Sequence, residues 1–200
     1  MLTAYKIIRI IVLAVSRVIF RYRDIDFDKI PQNGRAVICC NHTSAWDAVM
    51  LAVCCKNRQI CFMAKKELFN NKILGYLFYK AGSFPVDRDG NDFGAIKKAQ
   101  NVLKNEGLLC IFPEGTRSKT GEIQQGKAGA ALIAVGTKSP IVPISIYREG
   151  NAKLFSKTTI RCGDVIPYET LKEIKKSDAG LQGTIDYVME RIKILWEMKH

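Results

Sequence analysis

Residues 35–47 read RAVICCNHTSAWD, and the order of residue types in that stretch decides the fold. Ala36 to Cys40 is an unbroken apolar run of strand length, preceded by the turn signal Pro31-Gln32-Asn33-Gly34. Asn41 to Thr43 are loop residues, and a helix is expected from Ser44 or Ala45 to about Lys56 with Ser44 as its cap. A strand that runs through a short loop into a helix is the unit whose repetition along a chain gives an α/β domain with a largely parallel or mixed sheet.

The same alternation continues outward. QICFMA (59–64) reads as a strand, KKELFNNKILGYLFYKAG (65–82) as a helix ending at Gly82, and SFPVDRDGND (83–92) as a strand edge running into a loop. A helix from Phe93 to Asn105, capped by Asp92, precedes the strand and loop LLCIFPEG (108–115). GKAGAALIAVGTK (126–138) is a short helix, PIVPISIYR (140–148) a strand, and TTIRCGDVIPY (158–168) a strand and turn. From Asp178 to His200, Ile185, Val188, Met189, Ile192, Leu195 and Trp196 recur at helical spacing. RYRDIDFDKI (21–30) reads as a linker. The pattern predicts a single α/β domain over 23–200, with a mixed, largely parallel sheet flanked by helices and functional loops at the carboxyl ends of the strands.

Composition narrows the function classes. The 200 residues are 48% apolar and 25% charged, an ordinary globular balance that excludes a disordered chain or a fibre. The 31 Lys and Arg against 19 Asp and Glu leave +12, which predicts an anionic partner. The basic residues are scattered without interleaved aromatics, which argues against nucleic acid. The 7 cysteines are odd in number, sit in apolar runs and form no C-x-x-C, so they read as small core residues of a reducing compartment. With only His42 and His200 in the chain, a His-rich metal site is excluded.

Residues 1–20, MLTAYKIIRIIVLAVSRVIF, fit neither a secretory signal nor a spanning helix, because Arg9 and Arg17 interrupt the apolar stretch. On a helix, Lys6, Arg9, Ser16 and Arg17 share one narrow sector, and the wide remaining face is apolar. An amphipathic interfacial helix over 1–22, lying on an anionic membrane surface, is expected; the rival is a helix packed on the domain.

Two loops carry the chemistry. His42 and Asp47 lie five residues apart across a strand-to-helix loop, close enough for the carboxylate to orient the imidazole. An Asp at that offset arises by chance about once in twenty, so the spacing alone leaves a helix-dipole Asp beside an unrelated His as an even alternative. Phe112-Pro113-Glu114-Gly115-Thr116-Arg117-Ser118 follows a second apolar strand and presents donors suited to a phosphate, with a tight turn carrying a solvated arginine as the bland alternative. Arg88 ends the 82–88 stretch, with an ordinary surface Asp-Arg pair as its alternative, and Lys65 follows a strand end, where it either adds positive potential or is simply solvated.

In this order the blocks Asn41-His42 with Asp47 (N-H-x-x-x-x-D), Gly82 to Arg88 (G-x-x-x-V-D-R), Phe112 to Ser118 (F-P-E-G-T-R-S) and Val142-Pro143 resemble the glycerolipid acyltransferases, specifically the 1-acyl-sn-glycerol-3-phosphate (lysophosphatidate) acyltransferases. The resemblance spans about residues 30–150. Ile123-Gln124-Gln125-Gly126-Lys127 stands where the family often has an aromatic-lysine pair before its glycine. The resemblance implies transfer of a fatty acyl group from acyl-acyl carrier protein or acyl-CoA to the sn-2 hydroxyl of lysophosphatidate, giving phosphatidate, with no cofactor and no metal. His42 would be the general base and Asp47 its orienter. Arg88, Glu114, Gly115, Thr116 and Arg117 would form the phosphate and glycerol site, with Glu114 orienting rather than binding phosphate. A backbone donor near Gly115 or the Val142-Pro143 strand is the candidate oxyanion partner. Glycerol-3-phosphate or another lysolipid remains an alternative acceptor, and a non-catalytic lipid-phosphate binder the alternative class. The expected location is the cytoplasmic face of the cell membrane.

Overall fold

The computed structural model describes residues 21–86, 93–149 and 156–200. The strands are β1 (Tyr22–Ile25), β2 (Ala36–Cys40), β3 (Ile60–Lys65), β4 (Ser83–Val86), β5 (Leu108–Ile111), β6 (Ile141–Arg148) and β7 (Thr158–Cys162). They form one sheet in the order β1-β7-β6-β2-β5-β3-β4. Neighbours from β6 to β4 are parallel; β7 runs antiparallel to β6, and β1 pairs parallel to β7. The mixed, largely parallel sheet expected from the alternation is the one observed.

Helices cover both faces for the reason the apolar runs require. Side chains alternate along β2, so Ala36, Ile38 and Cys40 join one core with Met50, Leu51 and Cys54 of α1 (Asp47–Cys54). Val37 and Cys39 join the opposite core with α3 (Phe93–Lys104), α4 (Gly129–Gly136) and α6 (Gly180–Glu197), through Leu103, Ala131, Ile185 and Val188 among others. The seven cysteines are free thiols, six of them buried, and burial pushes Cys39 and Cys162 up to about 12. Such thiols act as core atoms rather than nucleophiles.

Three local expectations are corrected, and one helix was not foreseen. The 21–30 linker contains β1 and a 3-10 turn at Phe27–Lys29, because an edge strand can be held by backbone bonds to β7 without an apolar pattern. The helix expected over 65–82 is split: β3 extends to Lys65, a 3-10 turn occupies Lys66–Phe69, and α2 spans Lys72–Lys80. A further helix, α5 (Tyr168–Lys176), begins after Pro167, whose fixed φ suits a helix start. Ser44 does not cap α1; Trp46 holds that position, and the Ser44 hydroxyl accepts the Trp46 N–H at 3.3 Å. Residues 1–20 of the interfacial helix expected over 1–22 and the Asp92 cap fall outside the described residues; the last residue of that expected helix, Tyr22, instead starts β1. Among the described residues, no helix is long and apolar enough to cross a membrane.

Candidate active site

The carboxyl ends of β6, β2 and β5, three adjacent strands, meet at one edge of the sheet. Immediately past β2, the Asn41 carboxamide continues the ladder that the backbone has left. Its Nδ2 donates to Ile146 O at 2.9 Å and its Oδ1 accepts Ile146 N–H at 2.7 Å. Fully buried and doubly bonded, Asn41 fixes where the next residue emerges. That residue is His42. Its ring stacks on Phe112 at the end of β5, with centroids 4.0 Å apart and planes 16° from parallel.

Nδ1 of His42 lies 2.9 Å from Oδ2 of Asp47, the first residue of α1. The same oxygen accepts the backbone N–H groups of Thr43 at 2.7 Å and Ser44 at 2.8 Å. Oδ1 accepts Arg148 Nη2 at 2.7 Å, and Arg148 Nη1 donates to Thr43 Oγ1. Burial alone would raise the Asp47 carboxyl; the His42 bond, the Arg148 charge and the two amides outweigh it and hold Asp47 below the ordinary carboxylate range. An ionised Asp47 can only accept, so Nδ1 carries the proton and Nε2 is the nitrogen with a lone pair to offer.

Glu114 closes the other side. Its Oε1 accepts the backbone N–H of His42 at 3.0 Å, while Oε2 is buried without a hydrogen-bond partner. Burial lifts its carboxyl from the usual range to about 7, against the opposing pull of the His42 amide and Gln124. The folded state therefore binds a proton here that the unfolded chain releases near pH 4.5, and stability declines as pH rises from about 4.5 to about 7. Glu114→Gln should remove that part of the decline, so a plot of melting temperature against pH should be flatter for the variant across this window. Parallel curves would contradict the assignment.

The 112–118 loop is bound to the histidine through Ser118 N–H, which donates to His42 O at 2.8 Å. Thr116 and Arg117 stand exposed on its outer side. Gly115 has φ +73, a backbone conformation that favours glycine, and a Cβ there would sit 3.2 Å from Lys127 Nζ, which packs over it. Lys65 is exposed at the carboxyl end of β3, two strands from His42 in the sheet, and lies 3.7 Å from Glu67. Arg88 falls outside the described residues. The structure thus joins His42, Asp47 and Glu114 directly. Thr116, Arg117 and Lys65 lie along the same edge without a direct bond to His42.

Two of the backbone groups named for the oxyanion are otherwise placed. Gly115 N–H is already donated to Phe112 O at 3.0 Å. Val142 and Pro143 sit within the sheet opposite Ile38 and Cys39, short of the edge where His42 emerges. Two residues were missed. Arg148 reads in sequence as the polar end of an apolar strand, and only the placement of β6 beside β2 brings it to Asp47. Lys127 reads as part of a departure from a motif, and its approach to Gly115 needs the loop's closure through Lys127 N–H to Pro113 O at 2.9 Å.

A carboxylate-oriented histidine at the carboxyl edge of a parallel sheet, with exposed cations along the rim, is an α/β arrangement suited to general-base chemistry. Residues 22–147 match the model of the Acyltransferase family, and the chain belongs to that family. It is 35% identical over 174 residues to the 1-acyl-sn-glycerol-3-phosphate acyltransferase of Streptococcus pneumoniae, a match covering 85% of this chain and 64% of that protein. It is 39% identical over 131 residues to the Bacillus subtilis protein of the same name, covering 65% of each. The chain thus matches just under two thirds of the length of these relatives. The crystal structure of the 1-acyl-sn-glycerophosphate acyltransferase from Thermotoga maritima has the same fold, with TM-score 0.70 and 23% identity over 88% of this chain and 71% of that one. The resemblance carried by the four sequence blocks is borne out at the level of family and fold.

Proposed function

We propose that this protein transfers a fatty acyl group from an acyl thioester to the sn-2 hydroxyl of 1-acyl-sn-glycerol 3-phosphate, forming phosphatidate. The observation that carries the reading is the His42–Asp47 pair at 2.9 Å, with Nε2 left to accept a proton. The names of the bacterial relatives support the choice of acceptor.

In this mechanism the acceptor oxygen attacks the thioester carbonyl carbon while its proton passes to His42 Nε2. Asp47, kept ionised, stabilises the imidazolium so formed. The tetrahedral intermediate collapses with cleavage of the C–S bond, and the leaving thiolate takes the proton back. The products are an ester and a free thiol; the enzyme ends unchanged and forms no covalent intermediate. Arg117, Thr116, Lys127, Lys65 and Arg88 are the groups we assign to the acceptor's phosphate, arginine because its planar fork matches phosphate oxygens in pairs. Glu114 holds the His42 backbone rather than the phosphate, since a buried carboxyl beside an anion would repel it. No cofactor or metal is required by this chemistry.

The donor is either acyl-acyl carrier protein or acyl-CoA, and the reaction belongs at the cytoplasmic face of the cell membrane, where the +12 charge favours an anionic leaflet. Incubation with lysophosphatidate on anionic vesicles and a panel of both donor types is expected to yield phosphatidate. Product from glycerol-3-phosphate alone would reassign the acceptor, and no acyl transfer with any pair would remove the reading.

A further inference from the structure

Helix α2 (Lys72–Lys80) presents apolar side chains to solvent as well as to the protein. Its inner side is Gly75, where a Cβ would come within 2.9 Å of Phe69 O, and Phe78, whose ring lies 6.0 Å from that of Phe69. The outer side carries Ile73, Tyr76, Leu77 and Lys80 at i, i+3, i+4 and i+7, one stripe of a helix. Ile73 is 74% exposed, Tyr76 62% and Leu77 42%, with Tyr79 at 70% beside them and Leu68 at 44% on the preceding turn. An apolar stripe normally points into the core. Here it faces solvent, and it is bordered by Lys65, Lys66, Lys72 and Lys80 with Glu67 as the single acidic residue of 65–80.

We propose that this face is a contact for an anionic lipid surface, which seats the β3 side of the active-site edge on the membrane. Aliphatic side chains flanked by tyrosines and lysines match the boundary between headgroups and acyl chains, where amphipathic rings and ammonium groups remain hydrated while their stems are buried. A second copy of the chain is a poor occupant, because two-fold pairing of this face would set its lysines against themselves. An acidic carrier protein would answer the lysines but not the three protruding aliphatic residues. Because the 3-10 turn Lys66–Phe69 starts where β3 ends, the stripe begins at the same edge from which His42 emerges. A lipid acceptor would then meet the site without leaving the leaflet; that use rests on the proposed function, whereas the binding itself does not.

The test is partition of the full chain onto vesicles of phosphatidylcholine with phosphatidylglycerol, and of phosphatidylcholine alone, measured by sedimentation without any substrate. Ile73→Ser/Leu77→Ser is expected to lower partition by about tenfold or more, with an unchanged melting temperature because both side chains are exposed. Lys72→Gln should lower it by about fivefold on the anionic vesicles and leave the neutral ones unaffected. In turnover, the double variant should lose activity on vesicle-borne lysophosphatidate and keep it on a short-chain, monomeric analogue. Unaltered partition of the double variant would overturn the proposal, and would mean that residues elsewhere hold the chain on lipid. Loss of carrier-protein binding or of self-association with partition intact would assign the face to those partners instead. An enzyme that binds vesicles through this face yet makes no phosphatidate would sink the proposed function and leave the surface standing.

Discussion

Replacing His42 with alanine should lower turnover by about 10²–10⁴-fold on lysophosphatidate and an acyl thioester, the span that loss of a positioned general base produces. The structure separates this loss from a loss of fold. Asp47 keeps Arg148 Nη2 at 2.7 Å and the amides of Thr43 and Ser44, so its charge does not become an unpaired buried group when the imidazole goes. Asn41 still fixes the chain through both Ile146 bonds, and the His42 backbone still donates to Glu114 and accepts from Ser118. The Phe112 ring loses its stacking partner, a modest cost at a partly exposed rim. The cations assigned to phosphate remain, so the change should fall on kcat with little change in the acceptor's KM. Steady-state rates at saturating acceptor, compared with the parent, test this. An undiminished kcat would remove His42 from the reaction and reduce the Asp47 bond to a structural one.

How far the sequence reads to this site depends on which contacts are local. His42 and Asp47 are five residues apart across one loop, so the strand-loop-helix order of 36–54 already places them near each other, while bonds from Ile146 and Arg148 hold that loop in place. The parallel sheet was legible for a related reason: short apolar runs such as β2 and β5 alternate with helical segments along the chain, the pattern of an α/β domain. Contacts that depend on strand order were not legible. Arg148 is 101 positions from Asp47 and Glu114 is 72 from His42, and both meetings follow from β6 and β5 flanking β2. β1 escaped notice because edge pairing uses backbone atoms, on which side-chain pattern is silent. The outward stripe of α2 was not legible either: the apolar spacing of 65–82 predicts a helix, found only over Lys72–Lys80, and says nothing about which side meets the core.

Arg148→Met should do two things that a merely supportive side chain would not do together. The first is a loss of stability of about 3 kcal/mol, near the lower end for breaking a buried ion pair, because Asp47 retains three other donors. Arg148 is 5% exposed at its side chain and Asp47 is fully buried, so solvent cannot replace the lost partner. Asp47 titrates below the ordinary carboxylate range when folded; its contribution is therefore complete above that range and lost as pH falls through the depressed value. Removing the Arg148 charge raises that folded value, so acid unfolding should begin at a higher pH in the variant. The second effect is on catalysis. Arg148 shares the Asp47 carboxylate with His42, and its positive charge opposes a second one on the imidazole. Without it the imidazolium forms more readily, and a protonated His42 cannot accept the acceptor's proton. The acid limb of log kcat/KM should then move to higher pH. Arg148→Lys, which restores a charge without the fork that reaches both Asp47 and Thr43, should return the limb toward the parent's position while leaving part of the stability deficit. A rate that falls equally at every pH, with the limb unmoved, would make Arg148 a strut for the loop and leave the basicity of His42 to Asp47 alone.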